Sequence, residues 1–252
     1  MTDRAIEAIG KRAREQVDFT WFRRTFMGDH GLKNTLAFGH AVLDSVPKLD
    51  EYLWTYGPMI ESQWTKIANV LGTITPPHRL IDYGCGQGLA GLLVNDLTDG
   101  CLLTDVAEVV LIEPSALALA RAEAIYAKIC PEAEITSVGK RFDGLVESDL
   151  PPADGQVTLH LFSNTLDVAG FQPLNLLEKT LQPGRNTIVS VSHDRDFNGG
   201  TPQIEMVKAT LEHPNMASDL TVIRSELTRL TCDNPAKSKA VVWLCELEIA
   251  DG

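Results

Sequence analysis

One short segment, Asp82 to Gly88 with the sequence DYGCGQG, restricts the folds open to this chain more than any other feature. It follows residues 79–83, which have the apolar composition of a buried strand, and it precedes residues 89–97, which favour a helix. Glycines at a strand-to-helix turn let the backbone bend sharply and approach a ligand without an intervening Cβ. The segment therefore predicts a βαβ unit with a ligand bound beyond the carboxyl end of the strand.

Strands and helices alternate after this segment. A second strand is predicted at 109–113, and an alanine-rich helix follows it. Further strands are expected at 135–138, 157–162, 186–192, 220–227 and 240–249. Such alternation indicates parallel strands with helices on both faces, but the last two strands have no helix between them and should form a hairpin. We predict an α/β fold with a doubly wound, mostly parallel seven-stranded sheet and an antiparallel C-terminal hairpin.

The first 75 residues have a different pattern. From Met59 to Leu71 apolar residues recur every three or four positions, as in an amphipathic helix. The proline pair at 76–77 then marks a boundary, since a helix does not easily run into two prolines. We predict a helical cap at residues 1–75, on the substrate side of a ligand-binding domain at residues 76–252.

Composition narrows the class of protein. The chain has 252 residues and a formal net charge of -12, which argues against non-specific binding to nucleic acid or anionic lipid. Its five cysteines are scattered without zinc-ligand spacing, and the start lacks the apolar core of a secretory signal. We expect a cytoplasmic protein that needs no metal and does not span a membrane.

An acidic residue completes the ligand site. Glu113 ends the second predicted strand, where a carboxylate can accept hydrogen bonds from both hydroxyls of a ribose. With this acid in place, DYGCGQG resembles motif I of the class I S-adenosylmethionine (SAM) dependent methyltransferases, and Glu113 resembles the acidic residue of their motif II. The resemblance extends over about residues 79–249, because that family also ends in an antiparallel strand.

The resemblance implies that the chain binds SAM, releases S-adenosylhomocysteine (SAH), and transfers the methyl group directly to an acceptor. Glu113 would bind the ribose, and Asp82 would orient the loop and the SAM amino group. The loop residues Gly84, Cys85, Gly86 and Gly88 would lie along the cofactor. The family often has an acid or amide after strand three for the adenine; here Phe142 could stack on the base, or Asp143 could bind its amine.

Four other interpretations of these motifs remain open. Gly86 to Gly91 also satisfies the G-x-G-x-x-G pattern of NAD(P) sites, although Asp82, Gly84 and the final hairpin favour the methyltransferase pattern. A non-catalytic SAM-binding or scaffold protein would keep the same motifs, as would an enzyme using the fold for aminopropyl transfer. An RNA methyltransferase is a further alternative, because Lys11, Arg12, Arg14, Arg23 and Arg24 form a basic cluster, which could equally be a solvated helix face.

Acceptor-side residues are expected at the ends of strands four and five. Ser163 could contact SAM, Asn164 could hold the acceptor, and Asp167 could take a proton, although Ser163 and Asn164 could simply cap the next turn. His193 is the preferred base because it titrates near neutrality at the ligand edge of the sheet. It could also belong to a solvated loop.

In the cap, Tyr56 could touch the cofactor, and ordinary helix packing is the alternative. We predict a SAM-dependent methyltransferase acting on a small molecule, peptide or protein. The sequence leaves open whether the chain is a monomer, a homodimer or bound to a partner protein.

Overall fold

The computed structural model describes residues 3–152, 156–213, 219–234 and 237–250. Within these ranges one sheet contains seven strands: β1 Arg79–Tyr83, β2 Glu108–Ile112, β3 Glu134–Val138, β4 Thr158–Ser163, β5 Gly184–His193, β6 Leu220–Thr231 and β7 Lys239–Ile249. Their order is β3-β2-β1-β4-β5-β7-β6. Strands β1 to β5 are parallel to one another, whereas β7 is antiparallel to both β5 and β6. The predicted α/β fold with its closing hairpin is confirmed.

The central strands are buried on both faces. Every residue of β1 is buried, and successive side chains point to opposite sides of the sheet. Leu80 packs in one apolar core, with residues of the adjacent strands and of the helices on that face of the sheet. Ile81 packs in a second core on the opposite face. The nearly continuous apolar sequence of β1 therefore fits a parallel sheet that is covered by helices on both faces.

Nine α-helices cover the sheet or precede it within the described residues: α1 Arg4–Lys11, α2 Phe19–Phe26, α3 Val46–Thr55, α4 Gly57–Thr65, α5 Ala68–Leu71, α6 Leu89–Leu97, α7 Ala116–Ile129, α8 Pro173–Thr180 and α9 Gly200–Leu211. Helices α1 to α5 lie within the segment predicted as a cap. Its first two residues, and the last two of the predicted ligand-binding domain, lie outside the described residues.

A buried arginine joins the N-terminal segment to the sheet domain. Arg121 in α7 is completely buried, and its Nε lies 2.6 Å from a carboxylate oxygen of Asp3. The same guanidinium pairs with Asp50 of α3 at 3.1 Å and donates to the side-chain oxygen of Gln87 at 2.6 Å. The Arg121 side chain thus links the N-terminus, helix α3 and the glycine loop to helix α7.

The sequence reading missed or shortened several elements. Helix α8 was not predicted, and β6 continues to Thr231 rather than ending at 227. Helix α8 has only eight residues, and β6 has no fully buried residue. Hydrophobic periodicity in the sequence is therefore weak for both elements.

Candidate functional site

The loop after β1 has the backbone that its glycines allow. Gly84, Gly86 and Gly88 have φ of 60°, 52° and 78°, in the left-handed region that residues with a Cβ rarely adopt. A Cβ on Gly84 would lie 2.6 Å from Cγ2 of Thr165, and one on Gly88 would meet the backbone of Ala122 at 3.1 Å. A Cβ on Gly86 would meet no atom within 4 Å. Gly86 thus faces open space, whereas Gly88 allows close packing against α7.

Asp82 lies beneath this loop and is buried. One of its oxygens accepts a 2.8 Å hydrogen bond from the Tyr126 hydroxyl, and the other has no partner. Burial raises the pKa of Asp82 to about 7, more than the Tyr126 hydrogen bond lowers it. The carboxyl group therefore changes charge near neutral pH, and it keeps one oxygen for a further partner.

Glu113 is fixed to the loop. Its two carboxylate oxygens accept from the backbone N–H of Ser115 at 2.8 Å and of Gly86 at 3.2 Å. Burial raises the pKa of Glu113, while these two hydrogen bonds oppose the rise. Each oxygen keeps a second lone pair, so the side chain can still accept from a pair of ligand hydroxyls.

A cavity of about 220 Å³ lies over the loop. It is enclosed by the glycine loop, the turn after β2, the segment after β3, the end of β4 and a stretch of the N-terminal segment. Its lining includes Gly39, His40, Tyr52, Gly84, Gly86, Gln87, Glu113, Arg141, Phe142, Asp143, Ser163, Asn164, Thr165 and Phe171. The cavity lies at the carboxyl ends of the parallel strands, where open α/β sheets bind ligands.

Two phenylalanines mark the end of the cavity nearest β3. The ring of Phe142 lies 4.9 Å from that of Phe171, tilted by 58°. Both rings and Asp143 also line an adjoining cavity of about 430 Å³. Phe142 and Asp143, the two alternatives for an adenine contact, are therefore both available at this end.

The opposite end is formed by β4 and helix α4. Ser163 accepts a 3.0 Å hydrogen bond from the Trp64 indole N–H. Asn164, with φ of 54°, donates to the side-chain oxygen of Gln63 at 3.0 Å and accepts from the backbone N–H of His193 at 3.2 Å. The amide of Asn164 is thus held between α4 and β5.

The two acid–base candidates at this end are placed differently from our expectation. The ring Nδ1 of His193 lies 2.8 Å from the carbonyl oxygen of Lys239, and His193 is not among the cavity-lining residues. Asp167 is buried in an ion pair with Arg195 at 3.1 Å and is also absent from the lining. The histidine that does line the cavity is His40, from the N-terminal segment.

Four expected cofactor contacts are absent from the cavity lining, namely Asp82 beneath the loop and Gly88, Cys85 and Tyr56. Gly88 packs against α7, as described above, and Cys85 is buried in the apolar core, where burial raises the pKa of its thiol. Tyr56 packs against Tyr52 with ring centroids 5.1 Å apart, and Tyr52 is the ring that reaches the cavity. These residues support the walls of the cavity and do not face its interior.

Sequence reasoning missed the segment at residues 39–43. It contributes five consecutive residues to the lining, yet it has neither helical nor strand periodicity. Its only sequence signal is a glycine beside a histidine, Gly39 and His40. Phe171 was missed for a similar reason, because it lies in an irregular stretch before α8.

The strand order with a reversed β7 is the fold of class I SAM-dependent methyltransferases. No family model and no curated protein matches the sequence. Among solved structures, the plantazolicin methyltransferase BpumL in complex with SAH is 15% identical, covers 96% of this chain and 97% of its own, and has a TM-score of 0.46. The magnesium protoporphyrin IX methyltransferase from Synechocystis with bound SAM is 10% identical over 91% and 97%, with a TM-score of 0.42. Both likenesses are low, and the fold assignment rests on the sheet order itself.

Within the described residues, no helix has the length and apolar character needed to cross a membrane. No group of three or more His, Cys, Asp and Glu side chains in the same part of the chain could hold a metal ion.

Proposed function

We propose that this protein is a SAM-dependent methyltransferase with a small-molecule or peptide acceptor. The observation that carries this proposal is the Glu113 carboxylate, which is hydrogen-bonded to the Gly86 N–H on one wall of the cavity. This arrangement joins a ribose-binding acid to a backbone surface that no Cβ obstructs. The left-handed glycines and the acid fit a nucleoside with a short zwitterionic tail.

Different residues would contact different parts of SAM. Glu113 would hold the ribose hydroxyls, Phe142 and Asp143 the adenine, and Gly84 and Gly86 the methionine part. Asp82 would act on the amino group through its unpaired oxygen. SAM supplies a methyl group on a positive sulfur, which is a good leaving group, so the protein mainly has to align the acceptor.

The N-terminal segment completes the site. Under this proposal residues 1–75 are a substrate-side cap, and residues 76–252 are the catalytic domain. His40 and Tyr52 line the cavity from the cap, while Gln63 holds Asn164. A cap that closes the acceptor end favours a compact acceptor.

The basic cluster gives little support to an RNA acceptor. Arg14 and Arg24 line a surface groove together with Asp18, Asp96 and Asp99. A polyphosphate backbone needs an excess of positive charge, and these carboxylates offset it. The groove also lies apart from the cavity and shares none of its lining residues.

Titration calorimetry with SAH, and with NAD and NADP in parallel, tests the cofactor. We expect micromolar or tighter SAH binding, about −8 kcal/mol or better, and no binding of either nicotinamide. Glu113→Ala should weaken SAH binding by roughly 10-fold to 100-fold, because it removes the ribose acceptor. Glu147→Ala, at an exposed position outside the cavity lining, is the matched control. Nicotinamide binding, or an unchanged SAH affinity in Glu113→Ala, would contradict the assignment.

A scaffold that only binds SAM is the second candidate. It is favoured by the absence of His193 and Asp167 from the cavity lining. Transfer of labelled methyl from SAM into metabolite and peptide extracts separates the two. Tight SAH binding without any transfer across broad extracts would support the scaffold.

A further inference from the structure

Helix α4 supplies two completely buried side chains that hold the polar residues at the end of β4. Trp64 donates its indole N–H to the hydroxyl oxygen of Ser163 at 3.0 Å. Gln63 and Asn164 form an amide pair, with Gln63 Nε2 at 3.3 Å from Asn164 Oδ1 and Asn164 Nδ2 at 3.0 Å from Gln63 Oε1. Ser163 and Asn164 line the cavity, whereas Gln63 and Trp64 do not. Two neighbouring residues of α4 therefore orient the two polar side chains at this end of the cavity.

The backbone of β5 fixes which atom of the Asn164 amide is the oxygen. The backbone N–H of His193, which can only donate, lies 3.2 Å from Asn164 Oδ1. A flipped amide would place an NH2 group against this donor, so the hydrogen-bond network determines the orientation. Oδ1 accepts from both His193 and Gln63, and these two bonds use its two lone pairs. Asn164 can therefore only donate to a ligand.

The free donor of Asn164 is its second amide hydrogen. Within the described residues Nδ2 has one partner, Gln63 Oε1, so one of its two N–H groups is unpaired. Ser163 adds a second donor beside it. The indole N–H of Trp64 takes a lone pair of the Ser163 oxygen and leaves the hydroxyl hydrogen free. The end of β4 thus offers two adjacent donors, and these bind an anionic oxygen better than a neutral one.

Among the described residues that line the cavity, none is free to take a proton at this end. His40 Nε2 faces the N–H donors of Arg195 at 3.4 and 3.5 Å. Both oxygens of Glu113 accept from backbone N–H groups, and burial raises the pKa of Tyr52, so its phenol keeps its proton at pH 7. Asp143 lies at the opposite end, beside β3. An amine or alcohol acceptor would lack a base here, whereas a carboxylate has already lost its proton at pH 7.

We propose that the methyl acceptor is a carboxylate, bound by Ser163 and Asn164 at the end of β4, and that Gln63 positions the Asn164 amide for it. The inference rests on the proposed methyltransferase function. One carboxylate oxygen accepts from the two donors, and the other uses a lone pair to form a bond to the methyl carbon. The bond from that carbon to the cofactor sulfur breaks, and its electron pair stays on sulfur. The products are a methyl ester and SAH, and no proton is transferred, so the step needs alignment and no base.

The stability of the product in alkali tests the class of acceptor. The native protein is incubated with methyl-labelled SAM and either the metabolite fraction or the peptide fraction of a cell extract. A methyl ester releases its label as methanol in mild alkali, whereas methyl groups on nitrogen, sulfur, ring carbon or ether oxygen stay bound. We expect labelled methanol, from the metabolite fraction for a small acid or from the peptide fraction for a peptide carboxylate. Label that survives alkali would overturn the proposal.

Two substitutions test the Asn164 amide. Asn164→Asp places a negative charge against the acceptor carboxylate and should lower the rate of label transfer by about 100-fold or more. Asn164→Gly removes the donor and should lower the rate by about 10-fold to 100-fold. Aspartate and glycine both tolerate the left-handed φ of 54° at this position. Asn69→Asp makes the same change at an exposed position outside the cavity lining and should have no effect. An unchanged rate in Asn164→Asp would contradict the proposal.

The SAH affinity of the same variants distinguishes the acceptor from the cofactor. We expect Asn164→Asp and Asn164→Gly to bind SAH as the native protein does, which also shows that they are folded. A loss of SAH affinity as large as the loss of transfer would mean that Ser163 and Asn164 hold the methionine carboxylate of the cofactor. That result would overturn the acceptor site.

A double-mutant cycle tests the positioning role of Gln63. Gln63→Leu alone should lower the rate of label transfer by about 10-fold. Added to Asn164→Gly, it should lower the rate no further, because Gln63 acts through the amide that this variant lacks. If the two losses multiply instead, Gln63 supports the fold and does not position Asn164.

The outcomes separate the two proposals. Absence of SAH binding to the native protein, or SAH binding without transfer into either fraction, would overturn the proposed function itself. Transfer of a label that is stable in alkali would leave the methyltransferase function in place and overturn only the carboxylate acceptor.

Discussion

Tyr126 reaches Asp82 because residue 91 is a glycine. A Cβ on Gly91 would lie 2.2 Å from both Cζ and the hydroxyl oxygen of Tyr126, inside the space that the phenol occupies. Gly91 is the third glycine of the G-x-G-x-x-G match, and here it serves contact between helices α6 and α7. The match to a dinucleotide pattern thus has a packing explanation that is independent of NAD(P).

The first prediction concerns this glycine. Gly91→Ala should displace Tyr126 and destabilise the protein by about 1–3 kcal/mol, the usual cost of overpacking. It should also weaken SAH binding, because Asp82 loses its hydrogen-bond donor. Urea unfolding and calorimetry measure the two effects. Gly10→Ala is the matched control in helix α1, where a Cβ meets nothing within 4 Å, and it should be neutral or stabilising. A fully stable Gly91→Ala would show that Tyr126 can move without cost.

The second prediction compares two glycines of the loop. Gly86 and Gly88 both have positive φ, so substitution by alanine strains both backbones, by about 1–2 kcal/mol. A Cβ on Gly86 points into open space at the cavity, whereas one on Gly88 meets α7. Gly86→Ala should therefore lose more SAH affinity, and Gly88→Ala more stability. Equal losses of affinity in the two variants would contradict the placement of the cofactor over Gly86.

The third prediction concerns pH. Because burial raises the pKa of Asp82 from 3.8 to about 7, the folded state keeps a proton that the unfolded state has lost between those values. Stability should therefore fall as the pH rises from about 4 to about 7, by an amount on the order of a few kcal/mol. Asp82→Asn should remove this part of the slope and should stabilise the fold at pH 8, while weakening SAM binding.

Urea unfolding at several pH values measures that slope. Asp96, with a pKa raised to about 6 mainly by burial, contributes in the same direction, so the informative quantity is the difference between Asp82→Asn and the native protein. Asp105→Asn, at an exposed position, is the control. An identical pH dependence in Asp82→Asn and the native protein would contradict the prediction.

The fourth prediction concerns the attachment of the N-terminal segment. Arg121→Met should lower the free energy of unfolding by about 3–5 kcal/mol, because it leaves the Asp3 carboxylate without its Arg121 partner and leaves the buried Asp50 carboxylate with Arg4 as its remaining arginine. Adding Asp3→Asn and Asp50→Asn to this variant should restore part of the stability. Limited proteolysis should then cut the single variant within residues 3–50 faster than the native protein. Equal rates would mean that the other contacts of the segment hold it in place without Arg121.

The sequence by itself determined the sheet, the glycine loop and the acidic residue at the end of the second strand. The strand-to-helix turn at Gly84 to Gly88 and the acid Glu113 are local features, because positive φ and a strand-end position are fixed by neighbours in the chain. Apolar strands separated by helices likewise imply parallel crossovers. These elements were predicted from residues that are close in sequence, and the predicted strands form one sheet that contains the expected closing hairpin.

Only the tertiary structure decided which polar side chains line the cavity. His40 lies in an irregular segment more than 100 residues before Arg195, its contact, and no local pattern links the two. His193 and Asp167 are at the expected strand ends, but a carbonyl of β7 and the guanidinium of Arg195 engage them. Which polar side chain lines a cavity depends on such long-range pairing, since each group takes the partner that the packed chain brings nearest. Local sequence cannot specify those partners, so it predicted the edge of the sheet at which the cavity lies, and only the fold shows which polar side chains line that cavity.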